Sequence, residues 1–157
     1  MKHLVLSSIA VAALLLSGCS KKTPEADTTS TSDADRLAAL ASQIQSEVGT
    51  VYFDFDKFNI RADQQGTINN NAALFNQAGA ESLTVKVEGN CDEWGSDEYN
   101  YALGLKRATA AKDALVAQGV NESRISVVSY GESYMACTEH SKECDAQNRR
   151  DEFKVGF

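Results

Sequence analysis

Hydrophobic and polar residues follow two periodicities along most of this chain. Apolar residues at helical spacing predict three amphipathic helices, at residues 34–48, 63–78 and 97–118. Alternating apolar and polar residues predict four half-buried strands, at residues 51–56, 83–88, 124–130 and 151–157. Strands separated by helices predict an α/β (α+β) fold of two layers. We expect a mixed four-stranded sheet packed against helices, with a βαβαβ core and a C-terminal strand.

The start of the chain has a different pattern. A positively charged start precedes a 13-residue, largely apolar run at residues 4–16. This run is shorter than the roughly 20 residues that a membrane-spanning helix needs, and it is typical of a secretory signal peptide. The run ends in Leu-Ser-Gly-Cys at residues 16–19, which resembles the lipobox of bacterial lipoproteins. We therefore expect cleavage of residues 1–18 and attachment of lipid at Cys19.

The segment after Cys19 is polar and contains the only proline of the chain, Pro24. Such a segment buries too little apolar surface to offset its ordering entropy, which predicts a flexible tether. The sequence therefore divides into a lipidated N-terminus and tether at residues 19–46, with a possible short helix, and a globular domain at residues 47–157.

The charge balance limits the class of partner. The chain has 15 Lys and Arg residues against 22 Asp and Glu residues, a formal net charge of −7. This acidic balance argues against nucleic acid and anionic membrane surfaces as partners. It leaves open a ligand that carries both carboxylates and amines.

The most informative charged residue lies in the long predicted helix. Arg107 falls inside the apolar arc of this helix, one turn from Leu103, so its guanidinium must be paired. Asp92, in the loop before the helix, is the partner that we predict. The pair could simply brace the fold. Alternatively, it could form a ligand site, because a guanidinium binds a carboxylate through two parallel hydrogen bonds while an acid accepts from an ammonium group.

Several motifs in order resemble the OmpA-like peptidoglycan-binding domains. The main motif is Val-Glu-Gly-Asn-Cys-Asp-Glu-Trp-Gly at residues 87–95, continued by Tyr-Asn at 99–100 and Ala-Leu-Gly-Leu-Lys-Arg-Ala at 102–108. Further matches lie at residues 51–57, 125–132 and 148–150. The resemblance covers about residues 50–157. One departure is that the usual Gly-His-Thr-Asp reads Gly89-Asn90-Cys91-Asp92 here.

The resemblance implies a binding site for the diaminopimelate residue of the peptidoglycan stem peptide. Asp92 is implied to contact the ammonium group of this ligand, and Arg107 its carboxylate. The other residues implied to shape or flank the pocket are Asn100, Leu103, Arg150, Phe55, Asp56 and Lys57. No cofactor and no metal are implied.

The resemblance, together with the lipobox, also implies a place in the cell. It implies an outer-membrane lipoprotein that faces the periplasm and tethers the membrane to the wall without being an enzyme. Ser20 after Cys19 fits this sorting, because it is not aspartate. The implied partners are peptidoglycan and the Tol proteins, especially TolB, in support of envelope integrity and cell division.

The cysteines raise two alternatives. An exported protein meets an oxidising compartment, and Cys137 and Cys144 lie seven residues apart in a polar segment, so we predict a disulfide between them. Cys91 would then be a free thiol. The first alternative is a thiol enzyme that uses Cys91 with His140 as its base. The second is a zinc site formed by these three cysteines and His140.

Overall fold

The computed structural model of the protein describes residues 32–157. The predicted signal peptide, Cys19 and nearly all of the polar segment after it lie outside the described residues. Four helices and four strands form the described part. The helices are α1 (Asp33–Glu47), α2 (Gln65–Phe75), α3 (Asp97–Ala117) and α4 (Lys142–Asn148). The strands are β1 (Val51–Tyr52), β2 (Thr84–Asn90), β3 (Ile125–Gly131) and β4 (Arg150–Gly156).

The strands form one mixed sheet in the order β1-β4-β2-β3. Strands β2 and β3 are parallel, and β4 runs antiparallel to both of its neighbours. This arrangement confirms the predicted α/β fold with a mixed four-stranded sheet. It also brings the carboxyl ends of β1, β2 and β3 to the same edge of the sheet as the amino end of β4.

The core lies between the sheet and the helices. Helix α3 packs on β2 and β3, and its buried apolar residues follow the spacing predicted from the sequence. Helices α1 and α2 add further apolar side chains to the same cluster. The largest fully buried apolar residues are Ile44, Val51, Phe53, Ile68, Phe75, Leu83, Val85, Val87, Leu115 and Val120.

Helix α1 belongs to this domain. Ser32 begins the helix through a capping box with Asp35, which satisfies backbone groups at the helix start. Ala41 and Ile44 are buried in the core, and Gln45 donates to the carbonyl of Phe153 at 3.0 Å. The domain boundary predicted at residue 47 therefore falls after a helix that packs in the core.

Two predicted elements are shorter than the sequence pattern suggests. Strand β1 ends at Tyr52, and the chain turns at residues 54–57, where Asp56 has a φ of 55°. The predicted helix at 63–78 begins as a 3-10 turn, Ala62–Gln64, and its α-helical part ends at Phe75. Helix α4 is not indicated by the sequence pattern, because its residues are almost all polar.

Helix α3 approaches strand β2 very closely at a pair of glycines. A Cβ atom on Gly89 would lie 2.6 Å from the carbonyl carbon of Gly104 in α3. Real Cβ atoms do not come this close to backbone, so only glycine allows the contact at this point. The pair fixes the height of α3 above the sheet and therefore the depth of the side chains that follow Gly104.

No helix within residues 32–157 is both long enough and apolar enough to cross a membrane.

Candidate binding site

Four segments meet at the edge of the sheet described above. They are the turn after β1, the loop between β2 and α3, the end of β3, and the start of β4. Ser96 caps α3 by accepting from the backbone N–H of Tyr99 at 3.2 Å, so the loop after β2 leads into a defined helix start. Charged side chains from these segments are buried together at this edge.

Asp92 is nearly fully buried and is paired with Arg149. Its Oδ2 accepts from Nη1 of Arg149 at 2.9 Å, and the residue is only 3% exposed. The predicted pairing of Asp92 with Arg107 is therefore wrong. Arg149 takes this place because β4 lies beside β2 in the sheet, which brings a residue 57 positions along the chain to the loop after β2.

Arg107 is fully buried, as its place in the apolar arc of α3 predicts, but its partners are backbone carbonyls. Nε donates to Lys57 O and Nη1 to Asn90 O, both at 2.8 Å, and Nη2 donates to Asp54 O at 3.3 Å. The guanidinium also lies over the Phe53 ring, 5.3 Å from its centroid. Arg107 thus holds the 54–57 turn against the end of β2, and burial lowers its pKa.

A second carboxylate lies near enough to Arg107 to interact with its charge. Asp151 of β4 is fully buried, and neither of its side-chain oxygens has a hydrogen-bond partner within residues 32–157. Burial raises the pKa of Asp151 well above its ordinary value of 3.8, and the nearby charge of Arg107 opposes this shift. Asp151 is a buried acid that the sequence alone placed only in a strand.

We expect Asp151→Asn to remove a pH-dependent part of the stability. Because the folded state holds the Asp151 proton more tightly than the unfolded state, the free energy of unfolding falls as pH rises from about 4 to the raised pKa, by at most about 1.4 kcal/mol per pH unit. Urea denaturation from pH 4 to pH 8 checks this. The stability of the wild type relative to Asp151→Asn should fall with pH, and a constant difference would contradict the assignment.

Asn100 and Leu103, both predicted from the resemblance, lie beside Asp92 and Arg107. Asn100 is fully buried, donates to the carbonyl of Asp92 at 3.3 Å and also contacts the carboxylate of Glu132. Leu103 is 8% exposed and lies one helical turn before Arg107. The structure therefore groups these residues with the charged cluster.

The predicted turn of Phe55, Asp56 and Lys57 is the exposed side of the site. Phe55 is 60% exposed, and the hydroxyl of Tyr99 in α3 donates to the carboxylate of Asp56. Together with the bonds from Arg107 to the carbonyls of Asp54 and Lys57, this contact attaches the turn to α3 at three points. The turn covers Arg107 from the solvent side.

Arg150 does not join this cluster. Its guanidinium pairs with Glu152 at 2.7 Å and donates to the carbonyl of Tyr134 at 3.2 Å. Arg149 lies between α4 and β4, whereas Arg150 is the first residue of β4, and their side chains make different contacts. Arg149, the residue before Arg150, is the one that contacts Asp92.

The disulfide predicted between Cys137 and Cys144 is present, with the two Cα atoms 5.6 Å apart. The ring that it closes lies against the loop before α3. His140 Nδ1 lies 2.7 Å from the Glu93 carboxylate, and this contact raises the pKa of His140. Trp94 Nε1 donates to Asp145 of α4 at 2.9 Å.

Three observations bear on the thiol enzyme and the zinc site, the two alternatives raised by the cysteines. Cys91 is buried, and burial raises the pKa of its thiol to about 11, so the thiolate that a nucleophile needs is disfavoured. The disulfide uses two of the sulfurs required by a zinc site. Within residues 32–157, no group of three or more metal-ligating side chains is close enough to hold a metal ion.

Comparison with known proteins shows which family the sequence resembles. A model of the OmpA family matches residues 52–150. The peptidoglycan-associated lipoprotein of Mesorhizobium japonicum is 40% identical over 144 residues, covering 89% of this chain and 84% of that protein. The one from Pasteurella multocida is 44% identical over 107 residues, covering 68% and 70%.

Solved structures give the same result. The crystal structure of the peptidoglycan-associated lipoprotein from Burkholderia pseudomallei superposes with a TM-score of 0.64 at 34% identity, covering 68% of this chain and 89% of that one. The C-terminal domain of Helicobacter pylori MotB, at 23% identity and a TM-score of 0.58, shares the fold. The chain therefore belongs to the OmpA family. Within that family, the proteins from Mesorhizobium japonicum, Pasteurella multocida and Burkholderia pseudomallei are named peptidoglycan-associated lipoproteins.

Proposed function

We propose that this chain binds peptidoglycan non-covalently and that its ligand is the diaminopimelate residue of the stem peptide. The observation that carries the proposal is the burial of an acid and a guanidinium, Asp92 and Arg107, at one edge of the sheet. Buried charges of both signs match a zwitterionic head group, which has an ammonium and a carboxylate on one carbon. The relatives named peptidoglycan-associated lipoproteins support peptidoglycan as the ligand.

Asp92 receives the ammonium group in this proposal. The ion pair with Arg149 uses Oδ2, and within residues 32–157 no hydrogen bond engages Oδ1. A carboxylate accepts several hydrogen bonds, so it can hold Arg149 and a ligand ammonium at once. Arg149 keeps the carboxylate in one orientation, which lowers the ordering cost of binding.

Arg107 receives the carboxylate. A guanidinium has five N–H donors, and four of those in Arg107 are directed to Lys57 O, Asn90 O, Asp54 O and Cys91 Sγ, the last at 3.4 Å. The bond from Nη2 to Asp54 is the longest of the three to carbonyls. We propose that the ligand carboxylate approaches Nη2 from the side of the exposed 54–57 turn, with local movement of that turn.

The proposed role is mechanical. Lipid at Cys19 would hold one end in the outer membrane, the polar segment after it would span the gap, and the domain would bind the wall from the periplasmic side. The Tol proteins, TolB above all, are the proposed protein partners in maintaining the envelope and in cell division. Cell fractionation and co-purification with TolB measure these two parts of the proposal.

The experiment for the ligand is a titration of the full chain in detergent with a diaminopimelate-containing muropeptide. We expect Asp92→Asn to weaken binding about tenfold or more, because a hydrogen bond between two charged groups is replaced by a weaker one. A lysine-containing muropeptide should bind more weakly than the diaminopimelate form, since it lacks the second carboxylate that Arg107 would contact.

The matched control is Asp113→Asn, the same chemical change at an exposed position near the other end of α3. It should leave binding unchanged, and urea denaturation should show that both variants are folded. Equal affinity of folded Asp92→Asn and wild type would refute the site, and equal affinity for the two muropeptides would refute the role of Arg107.

A further inference from the structure

The segment that precedes Arg149 is held together by the disulfide. Residues 136–148, here called the disulfide segment, consist of the ring closed by Cys137 and Cys144 and the short helix α4. Helix α4 has only seven residues, and its one buried apolar residue is Cys144. A helix this short, without an apolar stripe, is not stable on its own, so it depends on its tertiary contacts.

Asn148, at the end of α4, is tied to the beginning of the same segment. Its Oδ1 accepts from the backbone N–H groups of Ala136 at 2.8 Å and Cys137 at 3.2 Å, and its Nδ2 donates to the carbonyl of Cys137 at 2.9 Å. The residue is 2% exposed, so these bonds are shielded from water. The disulfide and Asn148 thus fix the direction in which the chain leaves α4.

Arg149 is the next residue, and it connects the segment to the site. Its backbone pairs with Phe53, and its Nε donates to the Phe53 carbonyl at 3.1 Å. Its Nη1 donates to Asp92 at 2.9 Å, and the side chain is 14% exposed. One guanidinium therefore joins the end of the disulfide segment, the turn after β1 and the acid of the proposed binding site.

The same segment contacts the loop before α3 at two further points. His140 meets Glu93, and Asp145 accepts from Trp94. Glu93 and Trp94 directly follow Asp92 in the sequence and lead toward α3. The disulfide segment therefore supports the Asp92 loop both through Arg149 and through its neighbours.

We propose that Arg149 is a positioning residue for Asp92, and that the Cys137–Cys144 disulfide sets the affinity for peptidoglycan by holding Arg149 in place. This inference rests on the proposed function. The physical reason is preorganisation. A long side chain that is fixed before binding orients the acid without a further loss of entropy, whereas a released segment leaves both side chains to be ordered by the ligand.

The test uses the full chain in detergent and the diaminopimelate-containing muropeptide. We expect the double variant Cys137→Ser, Cys144→Ser to bind about tenfold more weakly than the wild type, and Arg149→Met with the disulfide intact to show a similar loss. In the Arg149→Met background, removal of the disulfide should cause a smaller loss than it does in the wild type, because both changes act on the contact between Arg149 and Asp92.

The fluorescence of Trp94, the only tryptophan of the chain, gives a readout that needs no ligand. Its emission should change when the disulfide is absent, because the bond to Asp145 is released. The matched control is Glu139→Gln, a change inside the ring at an exposed residue. It should alter neither the emission nor the affinity.

The outcomes separate the inference from the proposed function. If the oxidised wild type does not bind the muropeptide, the proposed function is wrong and this inference falls with it. If the wild type binds and the folded double serine variant binds equally well, the inference alone is wrong. If the double serine variant does not fold, Arg149→Met decides the matter, and wild-type affinity in that variant overturns the inference.

Discussion

Replacing Arg107 with methionine should lower the free energy of unfolding by about 3–5 kcal/mol, the range found when one partner of a buried charged contact is removed. The substitution leaves the carbonyls of Asp54, Lys57 and Asn90 without their donor. It also removes the positive charge that opposes the effect of burial on the pKa of Asp151. Urea denaturation at neutral pH measures the effect.

The control for this prediction is Lys106→Met, one residue earlier in the same helix. Lys106 is exposed, and its Nζ lies 5.6 Å from the centroid of the Phe58 ring. Its loss should cost less than about 1 kcal/mol, the range for an exposed cation–π contact. Similar losses in the two variants would mean that Arg107 does not brace the turn as the geometry indicates.

The Arg107 result also bears on ligand binding. The same guanidinium braces the fold and, in our proposal, receives the ligand carboxylate, so a stability loss alone does not distinguish the two roles. Arg107→Lys keeps the charge but loses the planar fork, which two parallel hydrogen bonds require. Binding and stability should therefore be measured together on this variant, at urea concentrations where it is folded.

Replacing Gly89 with alanine should destabilise the protein by about 3 kcal/mol or more, at or above the upper end of the range for overpacked cores. The added Cβ would meet the backbone of Gly104, and neither the strand nor the helix can move without disturbing the core around it. Helix α3 would have to lift from β2, which would also displace Arg107. Urea denaturation and muropeptide binding should therefore both change.

Gly66→Ala is the matched control for Gly89→Ala. Gly66 lies in α2, and nothing lies within 4 Å of the position where its Cβ would be. Alanine in a helix restricts the unfolded chain, so this variant should be stabilised by about 0.4–1 kcal/mol. If Gly89→Ala proved as stable as Gly66→Ala, the close approach of α3 to β2 would be wrong.

The two pairs of variants test different parts of one arrangement. The glycine contact sets how deeply α3 packs against the sheet, and this depth determines that Arg107 is fully buried rather than half exposed. Burial in turn strengthens the electrostatic contacts of the guanidinium, because the local dielectric is low. The proposed site for a small zwitterion thus depends on backbone packing several residues away.

Residues with strong local patterns were predicted correctly. The 3.6-residue period of α3 placed Arg107 on the buried face, and the alternation of β2 placed the loop of Asp92 at a strand end. The disulfide between Cys137 and Cys144 was predicted from their short spacing and from the signal-peptide pattern, and the structure contains it. These features depend on neighbours along the chain, which is why periodicity and spacing reveal them.

The residues that the sequence misplaced are those whose partners are distant along the chain. Arg107 was matched with Asp92, in the loop that leads into its helix, whereas the sheet brings Arg149 to Asp92. Helix α4 has no apolar stripe to bury, so the disulfide and the hydrogen bonds of Asn148 hold it in place. The sequence pattern therefore did not predict this helix. The sequence pattern identified Asp151 only as a strand residue. Its burial is explained by the pairing of β4 with β1 on one side and with β2 on the other.

The sequence by itself determined the helices and strands with strong periodicity, the family resemblance and the presence of an acid and a guanidinium near one strand end. The tertiary structure decided which charges are paired, which of the adjacent Arg149 and Arg150 faces the site, and that α1 belongs to the domain. The physical reason is that periodicity records which face of an element is buried. The pairing of charges depends on strand order and register, which join residues far apart along the chain.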